Sequence, residues 1–298
     1  MANARNYRGR FAPSPTGELH FGSLLAALGS WLRARAANGA WLVRIEDLDP
    51  PREVPGSAES ILRTLHACAL DPDQAPMRQS ARHESHAAAL QRLRDAGQVF
   101  PCWCSRSDLA ARDGVHRGAC MSSPDRSREP AWRVRVDDTV IAFRDRLQGS
   151  QRWPLSAEGD FVVKRADGPF AYQLACAVDD AAQEITEVVR GADLLDSTPR
   201  QIFLLRLLGL RVPAYLHLPV AVDARDRKLS KSEGAAAVDP RDPLPAMRAA
   251  LAVLGIPLAA LRARAPRTLL RNARSAFDPA ALPRTRTVLV QRGETLRA

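Results

Sequence analysis

Leu24, Leu25, Leu28, Trp31 and Leu32 recur three and four residues apart, which places one apolar stripe along a helix; Asn38-Gly39 stops it. Shorter runs flank this helix. Residues 8–12 form a strand that runs into the rigid turn Pro13-Ser14-Pro15-Thr16-Gly17, and Trp41-Leu42-Val43-Arg44-Ile45 forms a second strand, followed by Glu46-Asp47-Leu48-Asp49. Strand, helix and strand make a βαβ unit, and sheets built from such units bind ligands beyond the carboxyl ends of their strands. The Pro-Ser-Pro-Thr turn and Glu46 both fall at that edge.

The same periodicity predicts helices over residues 57–70 and 84–96. From about residue 98 to 184 the pattern changes to short alternating segments such as Trp132-Arg133-Val134-Arg135-Val136, together with a cysteine cluster, as in an insertion into an α/β domain. A strand at 184–190, a helix at 199–208 and a strand at 216–222 then resume the α/β pattern. Beyond Asp239 the chain reads as helical and rich in Arg, Ala and Pro. There is no internal repeat.

Composition narrows the class. Of 298 residues, 46% are hydrophobic and 26% charged, as in a globular domain with a sizeable core. No apolar run suits a membrane span and no apolar stretch follows the N-terminus, so a cytoplasmic protein without membrane attachment is expected. Five cysteines, an odd number, argue against a disulfide framework. Cys68 and Cys176 sit in apolar stretches as small buried hydrophobes. A net charge of +10 suits a polyanionic partner, although an Arg- and Ala-rich composition has the same effect on charge without one.

Two segments carry nucleotide chemistry. His20-Phe21-Gly22-Ser23 stands at the junction of turn and helix, where free N–H groups and the positive dipole end attract phosphate. Lys228-Leu229-Ser230-Lys231-Ser232 offers two point charges to a triphosphate on a Ser- and Gly-flanked loop. Singly, the first is a helix cap and the second an exposed basic loop. As a pair flanking an α/β domain they resemble the His-Ile-Gly-His and Lys-Met-Ser-Lys-Ser signatures of class I aminoacyl-tRNA synthetases.

The neighbouring segments resemble one member of that class. Arg10-Phe11-Ala12-Pro13-Ser14-Pro15-Thr16-Gly17, Arg44-Ile45-Glu46-Asp47-Leu48-Asp49 and the stretch from Arg190-Gly191-Ala192-Asp193 to Gln201 are similar to glutamyl-tRNA synthetases. The resemblance spans roughly residues 8–235 and implies an α/β fold. Its parts would be a Rossmann-type parallel sheet of residues 1–97 and 185–238, an inserted zinc-containing α+β subdomain of residues 98–184 that contacts tRNA, and a short helical part of residues 239–298. It further implies that Arg10, Ser14, Glu46, Tyr172 and Arg190 bind glutamate, with Glu46 on the amino group. Pro13, Thr16, His20, Gly22, Lys228, Ser230 and Lys231 would bind ATP, entering with Mg²⁺, and His20 and Lys231 would stabilise the transferring phosphate. An Arg is the chemically apt partner for a substrate carboxylate.

Cys102, Cys104, His116 and Cys120 form a Cys-x-Cys-x11-His-x3-Cys pattern. Three thiolates and an imidazole suit one structural, tetrahedral zinc ion, with clustered free thiols as the alternative. Glutamyl-tRNA synthetases and their shortened relatives often carry such a site with Tyr as the remaining ligand, so His116 is a departure. The pair His83 and His86 lacks metal-ligand spacing and reads as a solvated helix start; His66 and His217 carry no signal.

After Ser232, 66 residues follow, fewer than the anticodon-reading region of a full glutamyl-tRNA synthetase needs. The resemblance is therefore to the shortened glutamyl-Q tRNA(Asp) synthetase family, which uses ATP to attach L-glutamate to queuosine at the wobble position of tRNA(Asp). A monomeric ligase is expected. The alternatives are a minimal synthetase charging tRNA 3′ ends, a small-molecule nucleotidylyltransferase and a non-catalytic tRNA-binding module.

Overall fold

The computed structural model describes residues 7–110, 113–125, 127–222 and 237–290. In chain order the elements are β1 (Arg8–Phe11), α1 (Phe21–Ala36), β2 (Ala40–Ile45), α2 (Ser57–Ala67), β3 (Met77–Arg78), α3 (His83–Asp95), β4 (Val99–Cys102) and α4 (Arg106–Ala110). There follow β5 (Ala131–Val134), β6 (Val140–Asp145), β7 (Gly149–Pro154), β8 (Val162–Lys164), α5 (Tyr172–Ala182), β9 (Glu187–Gly191) and α6 (Thr198–Leu207). The last are β10 (Ala214–Leu218), β11 (Val220–Val222), α7 (Leu244–Val253), α8 (Pro266–Ala276) and β12 (Thr287–Leu289). The expected βαβ unit is present, with β1 and β2 parallel and Arg10 opposite Leu42.

Parallel pairing also joins β2 to β3, β9 to β10, and β10 to β6, while β7 adds an antiparallel edge. β1 lies beside β9, where the Thr186 N–H donates to the Arg8 carbonyl at 2.9 Å. Alternation along β2 divides the core. Trp41, Val43 and Ile45 pack on the face covered by α1, α2, α7 and α8, whereas Leu42 joins the cluster formed by α3, α5 and α6. Arg44 shares the Leu42 face and is completely buried against α5. Helices on both faces of a parallel sheet are the expected α/β arrangement.

A separate antiparallel sheet, β4-β5-β8, carries the cysteine cluster at its edge. Two differences from the sequence reading stand out. The predicted strand at 216–222 is two strands divided at Pro219, which lacks a ladder N–H. The C-terminal stretch is not wholly helical, because β12 pairs in parallel with β11. Among the described residues no helix is long and apolar enough to cross a membrane.

Candidate active site and metal centre

The carboxyl ends of β1, β2, β9 and β10 open on a cavity of about 320 Å³, closed on one side by the start of α1 and on another by Tyr172 of α5. Its lining includes Arg10, Pro13, Ser14, Thr16, His20, Gly22, Glu46, Tyr172 and Arg190. All the described residues predicted for glutamate and ATP are thus brought to one place. Lys228, Ser230 and Lys231 lie outside the described residues. Ala221, just before that segment, lines the cavity; Ala237, just after it, bridges to His20.

Backbone contacts lock the turn after β1. The Glu46 N–H donates to the Pro13 carbonyl and the Val54 N–H to the Pro15 carbonyl, each at 2.9 Å. Gly17 holds φ +141°, a region closed to most side chains. Thr16 Oγ1 is buried in this wall with no partner among the described residues, leaving a hydroxyl for a ligand. His20 caps α1: its Nδ1 accepts the Ser23 N–H at 3.2 Å, and the Ser23 hydroxyl lies 3.0 Å from Nε2. The first turn of α1 has no acidic side chain, and its positive end faces the cavity.

The floor is a cluster of buried charges. Arg10 grips Asp180 with both Nε (2.9 Å) and Nη2 (3.3 Å). Arg44 donates to the same carboxylate at 2.7 Å and to Glu46 at 3.0 Å. Burial alone would raise the Asp180 pKa, but Arg10 and Arg44 outweigh it and hold the carboxyl well below the usual range. For Glu46 burial prevails over Arg44 and Arg10, and its pKa lies above the ordinary value. Cys176 abuts both arginines, and burial pushes its thiol up to about 12, so it stays neutral.

Arg190 is held differently. Its Nε donates to His217 Nε2 (3.0 Å), its Nη1 to the Tyr172 hydroxyl (3.3 Å), and its Nη2 to Thr198 Oγ1 (2.8 Å) and the Leu194 carbonyl (3.2 Å). Every one of these partners is uncharged. Arg10 and Arg44 balance Asp180 and Glu46, whereas Arg190 has no carboxylate partner among the described residues. His217, which carried no sequence signal, therefore contacts the site through Arg190. It is fully buried, and its Nδ1 lies 2.6 Å from Asp145 Oδ2.

In the second cluster, ligand atoms of Cys102, Cys104, His116 and Cys120 lie within 4.8 Å of one another. His116 Nδ1 is taken by Asp160 Oδ2 at 2.8 Å, and its Nε2 is buried without a partner among the described residues. An orphaned imidazole nitrogen among three sulfurs fits a metal ion bound through Nε2. Gly159 is required beside it, because a Cβ there would meet the His116 carbonyl at 2.3 Å and φ is +63°. The Met121 N–H donates to Cys104 Sγ at 3.2 Å, as suits a thiolate ligand. Cys68 is buried away from this cluster.

His83 is exposed, as expected of a solvated helix start, but His86 is not. Its Nε2 lies 3.0 Å from buried Asp179, and its ring meets Phe170 edge-on, so it is an internal strut between α3 and α5. Sequence reasoning also missed Asp180, Asp145 and Asp160. The available signals were Asp179-Asp180 in an otherwise apolar helix and a His inside the apolar run Leu216-His217-Leu218.

Residues 6–263 match the family described as tRNA synthetases class I (E and Q), catalytic domain. The chain is 56% identical over 284 residues to a glutamyl-Q tRNA(Asp) synthetase of Xanthomonas oryzae, covering 94% of each chain. It is also 56% identical over 263 residues to the same-named protein of Burkholderia cenocepacia, covering 84% of this chain and 88% of that one. In fold it resembles a glutamate-tRNA synthetase of Elizabethkingia anophelis, with a TM-score of 0.81 and 23% identity over 98% of this chain and 69% of that one. The chain therefore belongs to the class I tRNA synthetases for glutamate and glutamine, within their glutamyl-Q tRNA(Asp) synthetase family.

Proposed function

We propose that the protein activates L-glutamate with ATP and transfers it to the queuosine base of tRNA(Asp). The observation that carries the glutamate reading is the charge pattern of the cavity. Beneath the cavity Arg10 and Arg44 are balanced by Asp180 and Glu46, and Arg190 adds one cation, while Glu18 and Asp193 also line the cavity. Glutamate, with two carboxylates and one ammonium, complements the Arg190 and Glu46 pair. Arg190, with Tyr172, takes one carboxylate; Glu46 accepts from the ammonium; Arg10 and Ser14 complete the contacts. The 56% identity to glutamyl-Q tRNA(Asp) synthetases supports the queuosine target.

ATP, entering as its Mg²⁺ complex, lies against Pro13, Thr16, Gly22 and the start of α1, with Lys228, Ser230 and Lys231 on its phosphates. An α-carboxylate oxygen of glutamate attacks the α-phosphorus as the bond to the bridging oxygen of pyrophosphate breaks. His20 and Lys231 stabilise the charge that develops, so catalysis is positioning and electrostatics. A hydroxyl of the modified base then attacks the adenylate carbonyl and AMP leaves. Cys102, Cys104, His116 Nε2 and Cys120 would hold zinc, which would tie the antiparallel sheet together structurally. We assign residues 1–97 and 185–238 to catalysis and residues 98–184 to metal and tRNA contact. Residues 239–298 we assign to a C-terminal segment, in an enzyme that is monomeric and cytoplasmic.

The test is incubation with ATP, labelled glutamate and tRNA(Asp), with or without queuosine, followed by removal of the 3′ end. Label that needs queuosine and survives trimming is the expected result. Label lost with the terminal adenosine of queuosine-free tRNA overturns the reading in favour of 3′ charging.

A further inference from the structure

Asp145, at the end of β6, and His217, within β10, lie outside the cavity lining and far apart in the chain, yet they end on Arg190, a cavity cation with no carboxylate partner among the described residues. The chain of contacts is Asp145 Oδ2 to His217 Nδ1 at 2.6 Å, then His217 Nε2 to Arg190 Nε at 3.0 Å. Both residues are buried. A carboxylate cannot donate, so the imidazole Nδ1 carries the proton, and an arginine Nε can only donate, so Nε2 presents its lone pair. The tautomer is fixed from both ends.

We infer that Asp145 and His217 are positioning residues for glutamate binding: they fix the Arg190 fork through a neutral acceptor, so that its charge stays available to the substrate carboxylate. The inference rests on the proposed glutamate reading for its substrate. A carboxylate in place of His217 would orient Arg190 equally well but neutralise it, as Asp180 does for Arg10. Burial, opposed in part by the Asp145 hydrogen bond, lowers the His217 pKa to about 4, which keeps the ring neutral at physiological pH. Three further contacts hold His217 in place. Tyr215 stacks beside it with ring centroids 6.1 Å apart, Thr198 Oγ1 lies 3.2 Å from Nε2, and the His217 N–H donates to Asp145 Oδ1 at 3.3 Å.

Asp145→Asn separates this role from simple support. Its Oδ1 can still accept from the Leu147 and Gln148 N–H groups, which Asp145 Oδ1 does at 2.9 and 2.7 Å. Its amide N–H₂, however, would face Nδ1 and draw the proton to Nε2, turning a donor against Arg190. Steady-state adenylate formation, measured by pyrophosphate exchange with tRNA present, should show the KM for glutamate raised roughly tenfold to a hundredfold, with the KM for ATP nearly unchanged. His217→Phe should do the same, and His217→Gln, whose side-chain oxygen can accept, should recover most of the loss.

Ring ¹⁵N shifts should show His217 protonated at Nδ1 in the wild type and at Nε2 in Asp145→Asn. An Nε2-protonated wild type overturns the inference with no variant needed. So does an unchanged glutamate KM in variants that melt normally, or an equal rise in both KM values. If the wild type forms no glutamyl-adenylate, the functional proposal falls and the tautomer readout alone judges the positioning.

Discussion

Asp180 joins Arg10 to Arg44: one carboxylate on α5 accepts from two guanidiniums on adjacent strands, at 2.9 and 2.7 Å, with all three side chains buried. This contact ties the cavity-facing end of β1 to a helix 170 residues later in the chain. Arg44 in turn holds Glu46 at the cavity wall. Asp180→Asn leaves two buried cations without their shared carboxylate, and a loss of about 3–5 kcal/mol in urea unfolding is expected. A loss below about 1 kcal/mol would mean that the cluster is not a structural node.

His20→Asn keeps a good helix cap while removing the imidazole. Glutamate-dependent pyrophosphate exchange should fall roughly 10²- to 10³-fold, the scale for losing one donor to a developing oxyanion. Thermal melting should hardly change. A variant that exchanges at the wild-type rate would reduce His20 to a cap.

Arg190→Lys retains the charge but not the planar fork that satisfies His217, Thr198 and Leu194 together. The KM for glutamate should rise at least roughly tenfold, with a smaller effect on the KM for ATP. Equal effects on both would show that Arg190 serves the fold rather than the amino acid.

Stability should fall on acidification between pH 6.5, the ordinary histidine value, and about pH 4, the value in the folded site. The sign follows from proton counts. In that window unfolded His217 takes a proton that the buried ring refuses, so the unfolded state binds more protons and stability rises with pH. Asp145, whose burial is outweighed by His217 and the turn N–H groups, is depressed and acts in the same direction lower down. Urea midpoints of wild type and His217→Gln across this range test it, and the variant should show a shallower slope.

Asp160→Asn should weaken zinc affinity by about 10- to 100-fold, because Asp160 holds Nδ1 of His116, the imidazole of the proposed ligand set. Competition with a chromophoric chelator reads this directly, and a cobalt-loaded protein reports the ligand field. An unchanged affinity would place Nδ1 orientation under the control of packing alone.

The segments we assign to glutamate chemistry were legible as parts of one cavity because each is local. A turn built from Pro13 to Gly17, a helix starting after His20 and a strand ending at Glu46 are fixed by neighbouring residues, and their helical and alternating periods place them at one sheet edge. The Cys102, Cys104, His116 and Cys120 spacing was legible for the same reason. His86 and His217 were not, since an isolated histidine looks the same whether it meets water or a buried Asp179 or Asp145.

The sequence by itself determined which reactive groups the chain carries and their order around the cavity, because strand ends and helix starts follow from short-range pattern. Only the tertiary structure decided which charges neutralise one another. Arg10 and Arg190 are the same residue type at strand ends, yet one meets Asp180 and the other His217. That difference arises when α5 packs over β1 and when β10 aligns with β9 and β6, contacts between segments far apart in the chain. A buried charge takes its partner from the face packed against it, and no local pattern encodes that face.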